Sequence, residues 1–358
     1  MYGVIDTGLT YTNISSGGED KLEMSSGNYA GPRVGLRGTE DLGNGLKVGF
    51  ILESGFDSGT GQLGQNGGIF GRESQVNISG TFGTIGFGRV GAFSSGSSSL
   101  GWYWDMEPFE TGYIDAGVQA TQVNVWRLDS NTVYYVSPVV SGFKLGLQYS
   151  MTGTNDKETT AFSDNNSFFN AAIRWDGASA RALAAFEYER FGQKDAAQPA
   201  EFDERRDNAY NFKLAGAWQP AGGAATLYAG VSYSKNYNRF SDSTYDDDAR
   251  VQYAPANRKR LEAFSGFLGA KYTVGSADLL AMVQYLDGEN KAAYGDQDKD
   301  FKRWVGSVGC HYHVSKRTML YAIGSYADGS GLFDDFDHDD EKTKTNRFMA
   351  HLGMTHFF

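Results

Sequence analysis

Apolar and polar side chains alternate with a period of two along much of the 358-residue chain. That is the spacing of a β-strand whose two faces meet different surroundings. In Arg347–Phe358, one face carries Phe348, Ala350, Leu352, Met354, His356 and Phe358, and the other carries His351, Gly353 and Thr355. Near the start, Val34, Leu36 and Gly38 oppose Arg33, Gly35 and Arg37. In the next run Val48, Phe50, Leu52 and Phe56 oppose Lys47, Gly49, Glu53 and Gly55. Each run is about 9–11 residues long, enough for a tilted strand to cross a bilayer with one apolar and one polar face.

The connections sort into two lengths. Short turns rich in Gly, Asn and Pro are expected at Asp41–Asn44, Phe82–Thr84, Pro138–Gly142, Asp176–Ser179, Pro220–Gly223, Val274–Ser276 and Val314–Arg317. Between them lie long polar segments, roughly 13–30, 57–71, 91–129, 153–166, 192–207, 236–260, 288–301 and 328–345. Seven turns alternating with eight loops require sixteen strands, with both termini on the short-turn side. The fold predicted is all-β, a sixteen-stranded antiparallel transmembrane barrel formed by residues 1–358 as one unit. Closure removes the sheet edges that lipid cannot hydrogen-bond. A barrel this wide leaves an aqueous lumen. Apolar side chains then face lipid and polar ones face lumen water, so no core of the soluble kind is expected.

Composition agrees and removes competitors. The chain has 47 Gly, 24 Phe, 21 Tyr and only 6 Pro, which suits many strands and tight turns. No run of about 18 apolar residues occurs, so a transmembrane helix is excluded. Met1-Tyr2-Gly3 leads straight into a strand, and the targeting segment is expected to be absent from this chain. Cys310 is the only cysteine, and the net charge of −11 argues against nucleic acid as a partner. No cofactor is expected and no enzyme motif stands out. There is no Gly-rich phosphate loop before a helix, and no nucleophile motif near His351 or His356.

Two features resemble metal chemistry without completing it. His311 and His313 share a strand face with no third ligand, and read as wet lumen residues, with Cys310 facing lipid or a neighbouring subunit. Asp335, Asp337 and Asp339 alternate in an acidic run and are weak Ca²⁺ candidates. The EF-hand glycine and closing Glu are missing, so a solvated outer loop is the expectation, as it is for Tyr245–Asp248.

Several runs resemble the general bacterial outer-membrane porins, in the β-proteobacterial, neisserial-like style. They are Tyr2–Leu9, Arg33–Gly43, Lys47–Phe56, Gly80–Gly83 with Gly88-Arg89, Asn131–Tyr135, Ser315–Thr318 and the closing Phe358. In the family the first strand begins a few residues earlier, where this chain has Met1. The resemblance implies an outer-membrane homotrimer set in lipid and lipopolysaccharide that passes ions and small hydrophilic solutes by diffusion. It also implies that the third loop, here about 91–129, folds into the barrel as a constriction.

On that resemblance Arg33 takes the place of a wall arginine, with Arg37 on the same face, and Glu53 matches a constriction carboxylate. Asp105, Glu107 and Glu110 are the loop acids, with the one that points into the pore left open. Arg72 also matches a wall arginine, although counting by two from Val76, Ile78 and Phe82 puts it towards lipid; a bulge at the strand end would reconcile the two. Arg127 follows the loop and could complete the cluster. Acids facing bases across a narrow, low-dielectric passage would set a field on passing ions.

Two other readings compete. A substrate-selective channel would use Trp102, Tyr103, Trp104 and Tyr113 as an aromatic slide, and a surface adhesin would use the acidic outer loops. Net charge does not decide ion selectivity, because charges in outer loops are screened beyond about 8–10 Å.

Overall fold

The computed structural model describes residues 1–14, 20–151, 166–190, 208–220, 223–237, 260–291, 299–330 and 346–358. The strands along the first half are β1 (Tyr2–Ile14), β2 (Lys21–Ser26), β3 (Arg33–Gly43), β4 (Leu46–Gly55), β5 (Glu73–Gly80), β6 (Gly83–Gly91), β7 (Leu128–Val136), β8 (Phe143–Ser150) and β9 (Ser167–Asp176). The second half adds β10 (Ala180–Arg190), β11 (Ala209–Trp218), β12 (Ala225–Tyr237), β13 (Arg260–Val274), β14 (Ala277–Lys291), β15 (Lys299–His313), β16 (Thr318–Ser330) and β17 (Arg347–Phe357). Pairing is antiparallel throughout, and β1 closes on β17 with Val4 opposite Phe357 and Ile14 opposite Arg347. No described helix is long and apolar enough to cross a membrane.

These seventeen segments make sixteen staves, because β2 and β3 are two halves of one. β2 pairs with Thr7–Thr12 of β1, and β3 pairs with Tyr2–Val4 of the same strand. The stretch 13–30, expected as one long loop, therefore contains a strand. After β2, Gly27–Pro32 leaves the wall beside Ile5 and Asp6 and turns inward as a strap. The other connections follow the expected two lengths. Strands β13, β14 and β15 are fifteen residues each, and β14 and β15 take over part of the connection expected at 288–301.

Alternation holds on the outer wall: Val34, Leu36, Leu268, Val283, Trp304, Val308 and Leu352 all point outward and are exposed. The inner face departs from expectation. Leu183, Tyr228, Phe267, Leu280, Met282 and Ile323 point inward and are buried under Phe93, Trp102, Tyr103, Met106, Phe109 and Tyr113 of the third loop, residues 92–127. The barrel thus has an apolar core inside it. The physical reason is the loop itself: a segment lining the wall must dehydrate both its underside and the wall beneath, and that is favourable only if both are apolar.

Candidate pore constriction

The third loop is seated by contacts around much of the inner wall. Its two limbs are joined at the root, where Gly96 N–H donates to Val125 O at 2.8 Å and Ser97 Oγ to Arg127 O at 2.7 Å. Lys213 Nζ on β11 donates to Ser94 O at 3.0 Å. Asp105 accepts both Nη atoms of Arg174 on β9, at 2.7 and 2.8 Å, and lies 3.1 Å from Arg181 Nε on β10. Further along, Asp115 accepts from Arg347 Nη2 and Nε at 2.6 Å each and from Arg303 Nη2 at 3.1 Å. Two arginines outweigh the burial of the Asp115 carboxyl and hold it below the usual carboxylate range. Gln284 Nε2 on β14 donates to Gly117 O at 3.0 Å.

The loop tip is tightly wound. Glu110, Thr111, Tyr113 and Ile114 all have φ between +54° and +60°, a region in which non-glycine residues cost of order 1 kcal/mol or more each. The buried Glu107 carboxylate offsets part of this by accepting from the N–H groups of Phe109, at 2.7 Å, and Thr111. Tyr113 is fully buried, its hydroxyl 2.8 Å from His311 Nε2 and its ring against Tyr29, Phe109, Tyr321 and His351.

A further charged group lies along β3–β5. Glu53 on β4 accepts from Arg72 Nε at 2.7 Å and from the Tyr2 hydroxyl at 3.0 Å, and lies 3.4 Å from Arg33 Nε. Arg33 Nη1 also donates to Gly31 O in the strap at 2.9 Å. Arg37, two residues on from Arg33 along β3, is exposed, with its guanidinium 5.1 Å from the Tyr2 ring centre. Glu73 on β5 accepts from the N–H and hydroxyl of Ser99 at the start of the loop. Between the two groups, the Tyr29 hydroxyl of the strap donates to Glu110.

The sequence-predicted residues therefore separate. Arg33, Arg72 and Glu53 are brought together, with Arg37 beside them. Arg72 lies just before β5, so strand parity does not govern it, and its side chain turns in to Glu53. Of the loop acids, Glu110 reaches the strap beside Arg33. Asp105 is pinned to β9 and β10 instead of facing Arg33 and Arg37. Glu107 is spent on its own loop's backbone and does not line the passage.

Arg127 does not complete the cluster. It pairs with Asp129 and Glu189 at 3.0 Å each, on the β7 and β10 side. The aromatic slide is overturned too: Trp102, Tyr103 and Tyr113 are buried, and only Trp104, 44% exposed, meets water. His311 is on the lumen face but dry, because Tyr113 covers it. Asp335, Asp337 and Asp339, and the run Tyr245–Asp248, lie outside the described residues.

Sequence reasoning missed Arg174, Arg181, Asp115, Arg303, Arg347 and Tyr29. Parity alone puts Arg174, Arg303 and Arg347 inward; what it lacks is the partner, which arrives from a loop with no periodicity. Lys144 is a further case. It stands directly opposite Arg174 in the β8–β9 ladder, a like-charge pair that costs stability, and rests 4.5 Å above the Trp102 ring.

Burial pushes Glu107 up to about 8, against the pull of its N–H donors, and raises Glu110 as well. A folded-state pKa above the unfolded value stabilises the protonated form, so this contribution is present below about pH 4.5 and fades towards pH 8. Raising the pH through that window is expected to loosen the loop tip, seen as faster limited proteolysis within residues 105–121. Glu107→Gln should flatten the pH dependence; an equally steep dependence in the variant would assign it elsewhere.

With this geometry in place, comparison with known proteins is direct. The Gram-negative porin family pattern matches residues 1–332. An outer membrane porin protein of Bordetella pertussis is 30% identical over 370 residues, spanning 94% of this chain and 90% of that protein. Outer membrane porin protein 32 of Delftia acidovorans is 29% identical over 333 residues, spanning 90% and 81%. Among solved structures, an anion-selective porin from Comamonas acidovorans superposes with a TM-score of 0.71 at 21% identity, covering 100% of this chain and 98% of that one. A closed sixteen-stave barrel, an inward third loop and these relatives converge: this chain is an outer-membrane protein of the Gram-negative porin family.

Proposed function

We propose that the barrel is a passive diffusion channel for ions and small hydrophilic solutes, constricted by the third loop and modestly favouring anions. The observation that carries this reading is the sharing of single carboxylates between pairs of arginines: Glu53 between Arg33 and Arg72, and Asp105 between Arg174 and Arg181. Counting neighbours, Arg33, Arg37 and Arg72 stand against Glu53 and Glu73, and Arg174, Arg181 and Lys144 against Asp105 and Asp176. Each of these groups is three cations to two carboxylates, a net of +1, offset in part by Glu110 beside Arg33 and by Arg127 with Asp129 and Glu189. The chain's overall charge of −11 has the opposite sign.

The same reading has the protein as a homotrimer in lipid and lipopolysaccharide. Its support is the apolar outer face of β2–β5, where Leu22, Met24, Val34, Leu36, Phe50 and Val76 are exposed, with Leu63 and Ile69 of the adjoining loop also exposed. An outer membrane protein of Vibrio cholerae with this fold, at TM-score 0.62, is described in a trimer form.

A single-channel recording in a salt gradient is expected to reverse on the anion side, with conductance linear in solute and three equal steps per insertion. Reversal on the cation side would refute the charge argument, saturation at low solute would favour a substrate-selective channel, and single steps would refute the trimer.

A further inference from the structure

We infer that Asp6, on the first strand, is a positioning residue for the third loop and so helps set the calibre of the pore; this rests on the proposed diffusion channel. The inference begins with the gap in the second stave. β1 pairs with β2 from Thr7 onward and with β3 only up to Val4, so Ile5 and Asp6 have no ladder partner on that side. Across this two-residue gap the chain inserts the six residues Gly27–Pro32. The surplus projects into the lumen, and backbone N–H groups that the ladder would have satisfied are turned loose in a buried place, where an unpaired donor costs about 1–3 kcal/mol.

One side chain collects them. Asp6, fully buried, accepts from the N–H of Asn28 at 3.2 Å, of Tyr29 at 3.1 Å and of Ala30 at 3.1 Å. It also accepts from the Tyr321 hydroxyl at 3.0 Å and the Thr355 hydroxyl at 2.7 Å, which fix its orientation from β16 and β17. Three successive N–H donors and two hydroxyls on one carboxylate form a rigid, charge-assisted mount.

What this mount holds out is the receiving surface for the loop tip. Asn28 O accepts the N–H of Tyr113 at 2.5 Å, and the Tyr29 hydroxyl donates to Glu110. Gly112 lies against the same two residues, where an added Cβ would come within 2.9 Å of Tyr29 O and 3.1 Å of Asn28 O. These contacts fall on the segment 110–114, where the backbone is most strained. None of these five hydrogen bonds to Asp6 comes from the third loop or from the Arg33–Glu53–Arg72 group. The influence of Asp6 runs through the strap, which faces the loop tip on one side and Arg33, by way of Gly31 O, on the other.

The test compares Asp6→Ala and Tyr29→Phe with wild type in planar bilayers, with heat resistance of the folded barrel followed in parallel. Asp6→Ala is expected to raise open-channel noise and mean conductance, the latter by about 1.5- to 2-fold, and to admit larger neutral solutes. Tyr29→Phe, which leaves Asp6 intact and removes only the hydroxyl to Glu110, should move the same readouts in the same direction. The double variant should add little to Asp6→Ala.

A loss of heat resistance with unchanged noise, conductance and solute cut-off would make Asp6 merely structural and overturn the inference. If Asp6→Ala does not assemble, a silent Tyr29→Phe is sufficient to overturn it. If wild type shows no conductance at all, the proposed channel fails instead, which separates the two failures.

Discussion

Replacing Asp115 by alanine is expected to release the third loop from the β15–β17 wall and to give the largest single-residue change in channel behaviour. Asp115 is fully buried and is the carboxylate between Arg303 and Arg347. Removing one member of a buried ion group costs about 3–5 kcal/mol, because the remaining charges stay desolvated. That exceeds what the tip can draw from one neighbouring contact, such as the Gln284 hydrogen bond, at roughly 1 kcal/mol. Most backbone ladders of the wall are untouched, so the barrel should keep its heat resistance. Limited proteolysis within residues 105–121 should become rapid, and conductance should rise and flicker. Asp115→Asn, which keeps the shape and loses the charge, should fall between. A protease-resistant, quiet Asp115→Ala channel would show that the apolar core under the loop suffices to seat it.

The second large effect is on selectivity. Replacing Arg33 and Arg37 together by glutamine should move the reversal potential towards cations, and Glu53→Gln should move it towards anions. A unit charge about 4 Å from a passing ion is worth about 1 kcal/mol even in water, roughly a fivefold change in the permeability ratio. The double variant should exceed Glu53→Gln, because it removes two charges, one of them the exposed Arg37. Glu53→Gln also leaves Arg33 and Arg72 without their shared carboxylate, so a fall in stability is expected alongside the shift. Salt at about 1 M should shrink both shifts, since the screening length falls to about 3 Å. Equal reversal potentials in all three proteins would place the selectivity elsewhere.

Much of the wall was legible in the sequence because a transmembrane strand has one simple rule, and Val34, Leu36 and Leu352 obey it. The rule broke where something other than water covered the inner face. Leu280, Met282 and Ile323 put apolar side chains on the inner face, because Tyr113 and its neighbours lie on them. The strap was misread for a related reason. Residues 13–30 are mostly polar, and the alternation of Leu22 and Met24 with Lys21, Glu23 and Ser25 is only six residues long, too short to stand out from a loop without its partner β1.

At the site, resemblance supplied Arg33, Glu53 and Arg72, and Arg72 escaped strand parity by lying one residue outside β5. It did not supply partners. Asp105, Glu107 and Glu110 are three acids within six positions of one loop, yet they face β9, their own backbone and the strap. The last of these placements coincides with the left-handed turns at 110–114, which no spacing rule reveals.

The seam between β1 and β17 carries a consequence for how the molecule comes apart. In most domains the chain ends are the first places to fray and to exchange their amide protons. Here Val4–Ile14 is laddered against Arg347–Phe357, and the lumen side of the joint is buttoned by Thr355 on Asp6 at 2.7 Å and Thr10 on His351 at 2.9 Å. The partners are 349 and 341 residues apart, so the seam closes a loop as long as the chain itself, and its formation waits for every other stave. Once shut, it gives both β1 and β17 a partner on each side. Opening must break a whole stave at once, so Val4–Ile14 and Arg347–Phe357 should be among the slowest-exchanging segments.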